Sequence, residues 1–346
     1  MKNIIITGSN GFLGSHLIDF CLKKKCVIYA LDRPSASFKN LTHYTRGRKY
    51  FSNEDKLIIF GERIQLPSNN ENLIFIECDI KNANLLDRII AEVKPELIFH
   101  FAAQPYILPS WKDPVDTIET NVIGTINIFE PIKKYKLKPR VILACTSAEF
   151  GTTANEINRP LKEDDPLLAV HPYGISKIAS ELLARQYFLN FGIEGIILRF
   201  FNQTGPRKQN DACSEFVSKI AQIELGISEP IIEVGNLDTF RDITGIKDTL
   251  QAIWLVATKG KPGETYNVCS GRKSKIRDIL NIIISFSSKK IKVIENIPKK
   301  LRKTDEDMIL GDNAKIKSEL GFEITQPIEV ILKNMYEYWL KTLKET

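Results

Sequence analysis

The chain has 346 residues, 43% of them hydrophobic, and a formal net charge of +6 with acids and bases interspersed. Such a length supports a large core, in one big domain or two intimate ones. The same composition argues against two function classes: no apolar run is long enough to span a bilayer, and no basic stripe carries the interleaved aromatics of a nucleic-acid binder. The short lysine runs at 23–25, 289–290 and 299–300 read as solvated faces. The six cysteines form no CxxC, and several sit in apolar runs such as FIECDI and VILACTS. Buried free thiols fit that pattern better than a disulfide framework. A βα pattern starting at Lys2 leaves no cleavable apolar region, so a reducing cytoplasm is the expected compartment. His16, His43, His100 and His171 are scattered, and no metal site is expected.

In chain order, KNIIIT (2–7) reads as a buried parallel strand entering a glycine turn. A helix over 12–24 and a strand over 26–32 complete a βαβ unit. Strands follow at 72–80, 96–103, 140–147 and 194–202, separated by helices at 83–93, 116–135 and 171–192. This alternation predicts an α/β fold: a Rossmann-type, doubly wound parallel sheet with helices on both faces. Beyond about residue 203 the segments shorten and become richer in Pro, Gly and Asn. Residues 1–202 are therefore expected to form the dinucleotide-binding domain, and 203–346 mainly a smaller α/β substrate lobe. The core-type helix over 243–260 should return in part to the first domain. The connection 35–71 is unusually long. It reads either as a surface excursion or as a loop that orders over the cofactor or against a neighbouring subunit.

Gly8, Gly11 and Gly14 lie between a strand and a helix, the context a dinucleotide fingerprint requires. The first glycine allows the tight turn, the second lets backbone approach a pyrophosphate, and the third lets helix pack on strand. Asn10, Phe12 and Leu13 fill the rest of this turn, and the helix N-terminus faces the phosphates. Asp32 ends the second strand, where a carboxylate accepts both ribose hydroxyls of NAD. Arg33 follows it and leaves NADP open. Asp79 and Ile80 are placed beside an adenine, Ala102 and Ala103 beside a nicotinamide ribose.

Tyr173 and Lys177 lie one turn apart on the helix that starts at HPYGISK. An ammonium nearby, with a positive nicotinamide, favours the phenolate. That makes Tyr173 an acid or base near neutral pH. Thr146, at the end of a strand, is placed to hydrogen-bond the substrate alcohol.

These features in this order resemble the extended short-chain dehydrogenase/reductase family over nearly the whole chain. The resemblance rests on TGSNGFLG, Asp32, FAAQ (101–104), Asn121, Thr146, Tyr173 and Lys177. It adds Gln104 and Asn121 to the cofactor site. RFFNQTGPR, SEFVSKIAQIELG, EVGNLDTFRDIT, ETYNVCSG and LRKTDEDMILGDNAKIKSELGF are similar to the branch of GDP-mannose 4,6-dehydratases and GDP-4-keto-6-deoxymannose reductases. That implies a nucleotide-linked hexose as substrate, GDP-linked. Ser147, Asn202, Arg241 and Arg302 would bind it, the last three at its phosphates. It also implies a homodimer through the helices at 116–135 and 171–192, with tetramers among its members.

One motif departs from the branch. Dehydratases of this kind usually carry a glutamate two residues after the threonine, as the base at C5. In Thr146-Ser147-Ala148-Glu149-Phe150-Gly151 that position is Ala148, and Glu149 is one residue late. In extended chain, successive side chains point to opposite faces, so Glu149 is expected to aim away unless a bulge re-aims it. The resemblance ranks a 4,6-dehydratase first, with Glu149 as a catalytic assistant. The residues favour a 4-epimerase. A 4-keto-6-deoxyhexose reductase and a non-catalytic NAD-sensing protein remain as alternatives.

Overall fold

The structure, a computed structural model, describes residues 2–34, 36–300 and 308–345. The chain divides into two compact units, one comprising 1–151, 167–199 and 252–266, the other 152–166, 200–251 and 267–346. The expected arrangement has a boundary near 202 and a partial return over 243–260. Residues 152–166 group with the second unit, and the chain returns to the first at 252.

The first unit is built on a nine-stranded sheet. Its strands are β1 (Lys2–Thr7), β2 (Cys26–Asp32), β3 (Leu57–Ile59), β4 (Glu62–Leu66), β5 (Leu73–Glu77), β6 (Leu97–His100), β7 (Arg140–Thr146), β8 (Gly195–Phe200) and β9 (Thr265–Val268). Their spatial order is β9-β8-β7-β6-β1-β2-β5-β4-β3. β1 pairs in parallel with both β2 and β6. The chain therefore builds outward to one side of β1, then to the other. The crevice at the carboxyl ends of β1 and β6 is the switch point where such sheets place ligands. Ile4, Ile5 and Ile6 of β1 are fully buried, as a strand covered on both faces requires. ETYNVCS, read as part of the smaller lobe, supplies β9 at the edge of this sheet instead.

The helices on the sheet obey their end signals. α1 (Phe12–Cys21) follows the glycine turn. α2 (Ala83–Val93) is capped by Asn82, whose side chain accepts from the Leu85 amide at 3.1 Å. It buries Leu86, Ile89, Ile90 and Val93 at helical spacing. The helix expected over 116–135 runs without interruption from Pro114 to Lys134 but contains a π turn. A short helix, Pro114–Ile118, runs into a π-helical turn, Glu119–Ile123, and then into α3 (Gly124–Lys134). π turns insert one residue into the helical ladder, and this one carries the buried Asn121. α4 (Pro172–Phe191) begins with proline at its first turn. His171 caps it by accepting the Gly174 amide at 2.9 Å, and it ends at Gly192 with φ +66°.

Within the long 35–71 connection, residues 36–71 pack against the sheet. β4 and β3 extend it in antiparallel fashion. Phe38 is buried edge-on to Phe75, and Lys56 forms a buried ion pair with Glu77 at 2.6 Å. Asn40 Nδ2 donates to the backbone oxygen of Asn10 at 2.8 Å. The excursion thus contacts the glycine turn itself.

In the second unit, helices Ala212–Glu224, Ile276–Ile284 and Ile328–Lys344 bury Val217, Ile220, Ile279, Ile283, Leu332 and Met335 together. The strand Phe240–Gly245 pairs with Asn202–Thr204, Lys273–Lys275 and Met308–Ile309. It occupies the start of what was read as helix 243–260, so the helix begins at Ile246. All six cysteines are buried and free. Among the described residues no helix is long and apolar enough to cross a membrane.

Candidate active site

The glycine turn is packed by backbone. Gly8 has φ +67°, and a Cβ there would lie 2.7 Å from the Ala102 nitrogen at the end of β6. A Cβ on Gly14 would lie 2.3 Å from the Gly8 oxygen. A Cβ on Gly11 would meet only the Gly8 oxygen, at 3.1 Å. So the first and third glycines serve the protein's own packing, and the second borders open space. No side chain caps α1, whose first residues are Phe12, Leu13 and Gly14, and Asn10 Oδ1 is buried without a hydrogen-bond partner. An uncapped helix start beside an open glycine suits a pyrophosphate.

Asp32 reaches back into this turn. Its Oδ2 accepts the Asn10 amide at 2.8 Å and its Oδ1 the Arg33 amide at 3.0 Å. Burial pushes its carboxyl above the usual range, and the two backbone donors oppose that shift. A carboxylate has about four acceptor positions, so the two amides leave acceptor capacity for a ribose hydroxyl. The Arg33 side chain is exposed. The Asp79 carboxylate accepts the Lys81 amide at 2.9 Å, and Ile80 is buried against Gly124. The Ala102 amide donates to Thr7 Oγ1 at 3.1 Å, and Ala103 is half-buried. Asn121 joins two segments of the site. Its Oδ1 accepts the Gln104 amide at 2.8 Å, and its Nδ2 donates to Gln104 O and to Ser176 Oγ of α4. Asn121 is 2% exposed, so its part is to hold the FAAQ segment against α4.

Thr146 and Tyr173 are brought together. The tyrosine hydroxyl hydrogen-bonds the threonine side chain. Lys177 is buried one turn along, and its Nζ donates to the Ala144 oxygen at 2.8 Å. In the protein alone, burial pushes the Tyr173 phenol up; the Thr146 bond opposes that shift, and Glu149 and Cys145 add to it. Burial also pushes the Lys177 ammonium down, because a charge in low dielectric loses its hydration.

Residues 147–149 form a 3-10 turn in place of the expected extended chain. The turn swings Glu149 into the core, where it is fully buried. Its Oε1 accepts the Thr146 amide at 2.9 Å, closing a capping box, and its Oε2 pairs with Arg199 Nε of β8 at 3.2 Å. Ala148, two residues after Thr146, is half-exposed, as is Ser147. Arg199 and Glu181 were not singled out from the sequence. The available signals were an arginine inside the apolar run EGIILRFFN and the spacing of Tyr173, Lys177 and Glu181.

In the second unit, Asn202 and Arg241 lie on adjacent paired strands. Asn202 Nδ2 donates to the Asp242 oxygen at 3.3 Å, and Arg241 Nη1 to the Phe240 oxygen at 2.8 Å. Arg302 lies outside the described residues.

A family model described as GDP-mannose 4,6 dehydratase matches residues 5–335. The chain belongs to the GDP-mannose 4,6-dehydratase family. It is thereby an enzyme of the extended short-chain dehydrogenase/reductase type, a family that works with nicotinamide cofactors. The GDP-6-deoxy-D-mannose reductase of Pseudomonas aeruginosa is 26% identical over 252 residues, covering 72% of this chain and 82% of that protein. A GDP-mannose 4,6-dehydratase of Yersinia enterocolitica is 26% identical over 358 residues, covering 94% and 91%. Among solved structures, the UDP-glucose 4-epimerase of Thermotoga maritima with UDP-glucose superimposes with a TM-score of 0.81 at 26% identity, over 99% of each chain. Family relatives thus include dehydratases, reductases and epimerases of nucleotide sugars.

Proposed function

We propose that this enzyme interconverts an alcohol and a ketone at C4 of a GDP-linked hexose, without removing water. The observation that carries the reading is the pair Ala148 and Glu149. The dehydratase carboxylate position holds a methyl group, and the carboxylate next to it in the chain, Glu149, is buried between the Thr146 amide and Arg199. Dehydration needs a base at C5, and no side chain of the TSAEFG segment offers one.

Gly8, Gly11, Gly14 and Asp32 hold the cofactor, which when bound accepts or returns the hydride. The carboxylate of Asp32 favours NAD over NADP, since a half-buried carboxylate at this position repels a 2′-phosphate. Tyr173 exchanges the proton of the C4 oxygen. Thr146, bonded to the same phenol, orients that oxygen. Lys177 adds positive charge on the same helix face. Asn202, Arg241 and Arg302 contact the sugar nucleotide's phosphates, as forked guanidinium donors suit.

Asp32 favours a 4-epimerase, because a retained NAD that takes the hydride and returns it to the other face needs no external reductant. A 4-keto-6-deoxyhexose reductase is the second reading. It is supported by Tyr173, whose phenol is held protonated and so is ready to donate to a C4 alkoxide. We also assign a cytoplasmic site of action, consistent with six free buried thiols, and a homodimer. Ile175, Leu182 and Leu189 recur every seven residues on α4 and are exposed, a stripe suited to a partner helix.

The test is incubation of the purified protein and NAD(H) with GDP-mannose and with UDP-, dTDP- and CDP-hexoses, followed by mass and NMR. Unchanged mass with inverted C4 is the epimerase outcome. Consumption of reduced cofactor by a 4-keto-6-deoxy sugar alone is the reductase outcome. Loss of one water overturns the reading.

A further inference from the structure

Three acid-base groups converge beneath the Thr146 turn, in the interior of the first unit. Cys145, Glu149 and Glu181 place their ligating atoms within 4.8 Å of one another. Such a set resembles a cation site, and the cation is already supplied by the chain. Arg199 Nε donates to Glu149 Oε2 at 3.2 Å and to Glu181 Oε2 at 3.1 Å, and its Nη2 donates to Glu181 Oε1 at 2.7 Å. The Phe150 ring lies 5.2 Å from the guanidinium carbon, and Thr265 Oγ1 donates to Glu181 at 2.9 Å.

The arrangement ties together the two segments that carry the proposed chemistry. Glu149 holds the Thr146 amide. Glu181 lies on α4, two turns beyond Tyr173 and one beyond Lys177. Arg199, on β8, binds both carboxyl groups at once. Its side chain is 3% exposed, that of Glu149 0% and that of Glu181 11%.

The charges do not balance if both acids are ionised. Two buried carboxylates would pair directly with one guanidinium, the buried Lys177 ammonium acting on Glu149 only through space, and an under-compensated buried charge is costly. A proton resolves the conflict. The two carboxyl groups lie with oxygens within 4.8 Å of one another, and a proton on one of them relieves their repulsion, as in carboxyl pairs that share a site. Glu149 is pushed up to about 8, first by burial and then by the Glu181 charge, while Arg199 and the Thr146 amide oppose the shift. The other titratable neighbours are Cys145 on β7, whose thiol burial pushes well up, and Tyr173 and Lys177 on α4, both of which feel the Glu149 charge.

We propose that Glu149, Arg199 and Glu181 form a proton-holding clamp behind the active site, in which Glu149 is a positioning residue for Thr146 and Tyr173. At neutral pH the clamp is neutral and rigid. When it loses its proton, a negative charge appears behind Tyr173 and disfavours the phenolate. The inference rests on the reading of Tyr173 as the group that moves the C4 proton, but its structural core is testable without turnover.

Infrared spectroscopy of the full-length protein reads the proton directly. The wild type is expected to show a buried carboxylic-acid C=O band at pH 7 that fades as the pH is raised through about 8. Glu149→Gln should lack it. Glu181→Gln leaves Glu149 alone with Arg199 and should also lose it by ionising Glu149, and it serves if the first variant does not fold. A band unchanged in either folded variant overturns the clamp. In a second measurement, tyrosine 13Cζ resonances are titrated, with Tyr173 assigned by Tyr173→Phe. In Glu149→Gln the Tyr173 phenol should ionise at a lower pH than in the wild type, by about one unit or more. An unmoved Tyr173 titration overturns the link to the active site. Neither readout needs a substrate, so loss of the C4 reading would not mimic either failure.

Discussion

The Glu149 carboxylate accepts the Thr146 amide at 2.9 Å, so the glutamate that stands one residue past the dehydratase position closes a turn in the core. The 3-10 turn over 147–149 is the reason. Three residues in such a turn bring the third side chain back over the first backbone amide, the geometry of a capping box. The active-site strand is thereby finished by its own sequence.

Restoring the missing base should change the reaction. Ala148→Glu places a carboxylate at a half-exposed position, with little effect on folding. With GDP-mannose and NAD the variant is expected to yield some product one water lighter, where the wild type yields none. Mass spectrometry of the nucleotide sugar decides it. Water loss by the wild type itself would contradict the proposed function.

Tyr173→Phe removes the hydroxyl that bonds Thr146. Turnover should fall by about 10²–10⁴-fold, the usual worth of a positioned acid or base. NAD affinity should be nearly unchanged, because the glycine turn and Asp32 are untouched. Steady-state kinetics and a cofactor fluorescence titration separate the two.

The three glycines should fail in different ways. Gly14→Ala and Gly8→Ala drive a Cβ against backbone at 2.3 and 2.7 Å, so both should lower the unfolding midpoint. Gly11→Ala meets only one atom, at 3.1 Å. It should fold nearly as well as the wild type and bind NAD at least about tenfold more weakly, since about 1.4 kcal/mol corresponds to tenfold. Thermal unfolding with and without NAD reads both effects.

Stability should carry the signature of the buried proton. Glu149 holds its proton in the folded state up to about pH 8, whereas an unfolded glutamate releases it near pH 4.3. Between those values the folded state binds the extra proton, so stability is fully present below the lower value and is lost as pH rises through the upper one. His100, buried and pushed down to about 3, acts the other way: its contribution is lost as pH falls below its ordinary range. The difference between wild type and Glu149→Gln isolates the glutamate. Urea midpoints at pH 5 and pH 8 should diverge in the wild type by more than in the variant.

The exposed stripe on α4 predicts association. Leu182→Asp with Leu189→Asp should convert a dimer to a monomer in analytical ultracentrifugation, while the far-UV spectrum is preserved. A wild type that sediments as a monomer at micromolar concentration would remove the homodimer.

Much of this protein was legible residue by residue. The run KNIIIT followed by three spaced glycines announces a buried strand, a tight turn and a helix, because only short-range sterics and burial are involved. Tyr173 and Lys177 share a helix face by spacing alone. The fate of Glu149 was not legible, since it depends on backbone curvature over three residues and on an arginine fifty positions away. The π turn within the helix over 116–135 was hidden for a similar reason: the turn at 119–123 brings Asn121 between Gln104 and Ser176, and no local pattern encodes those partners.

The sequence by itself determined the alternation of strands and helices, the cofactor turn and the tyrosine–lysine pair, because each follows from neighbours within one or two turns of chain. Only the tertiary structure decided which carboxylate faces solvent and which is locked inside. It also decided that the 35–71 excursion reaches the glycine turn through Asn40, and that Arg199 joins the Thr146 turn to α4. Those outcomes depend on burial and charge balance among residues far apart in the chain, which exist only once the sheet has assembled.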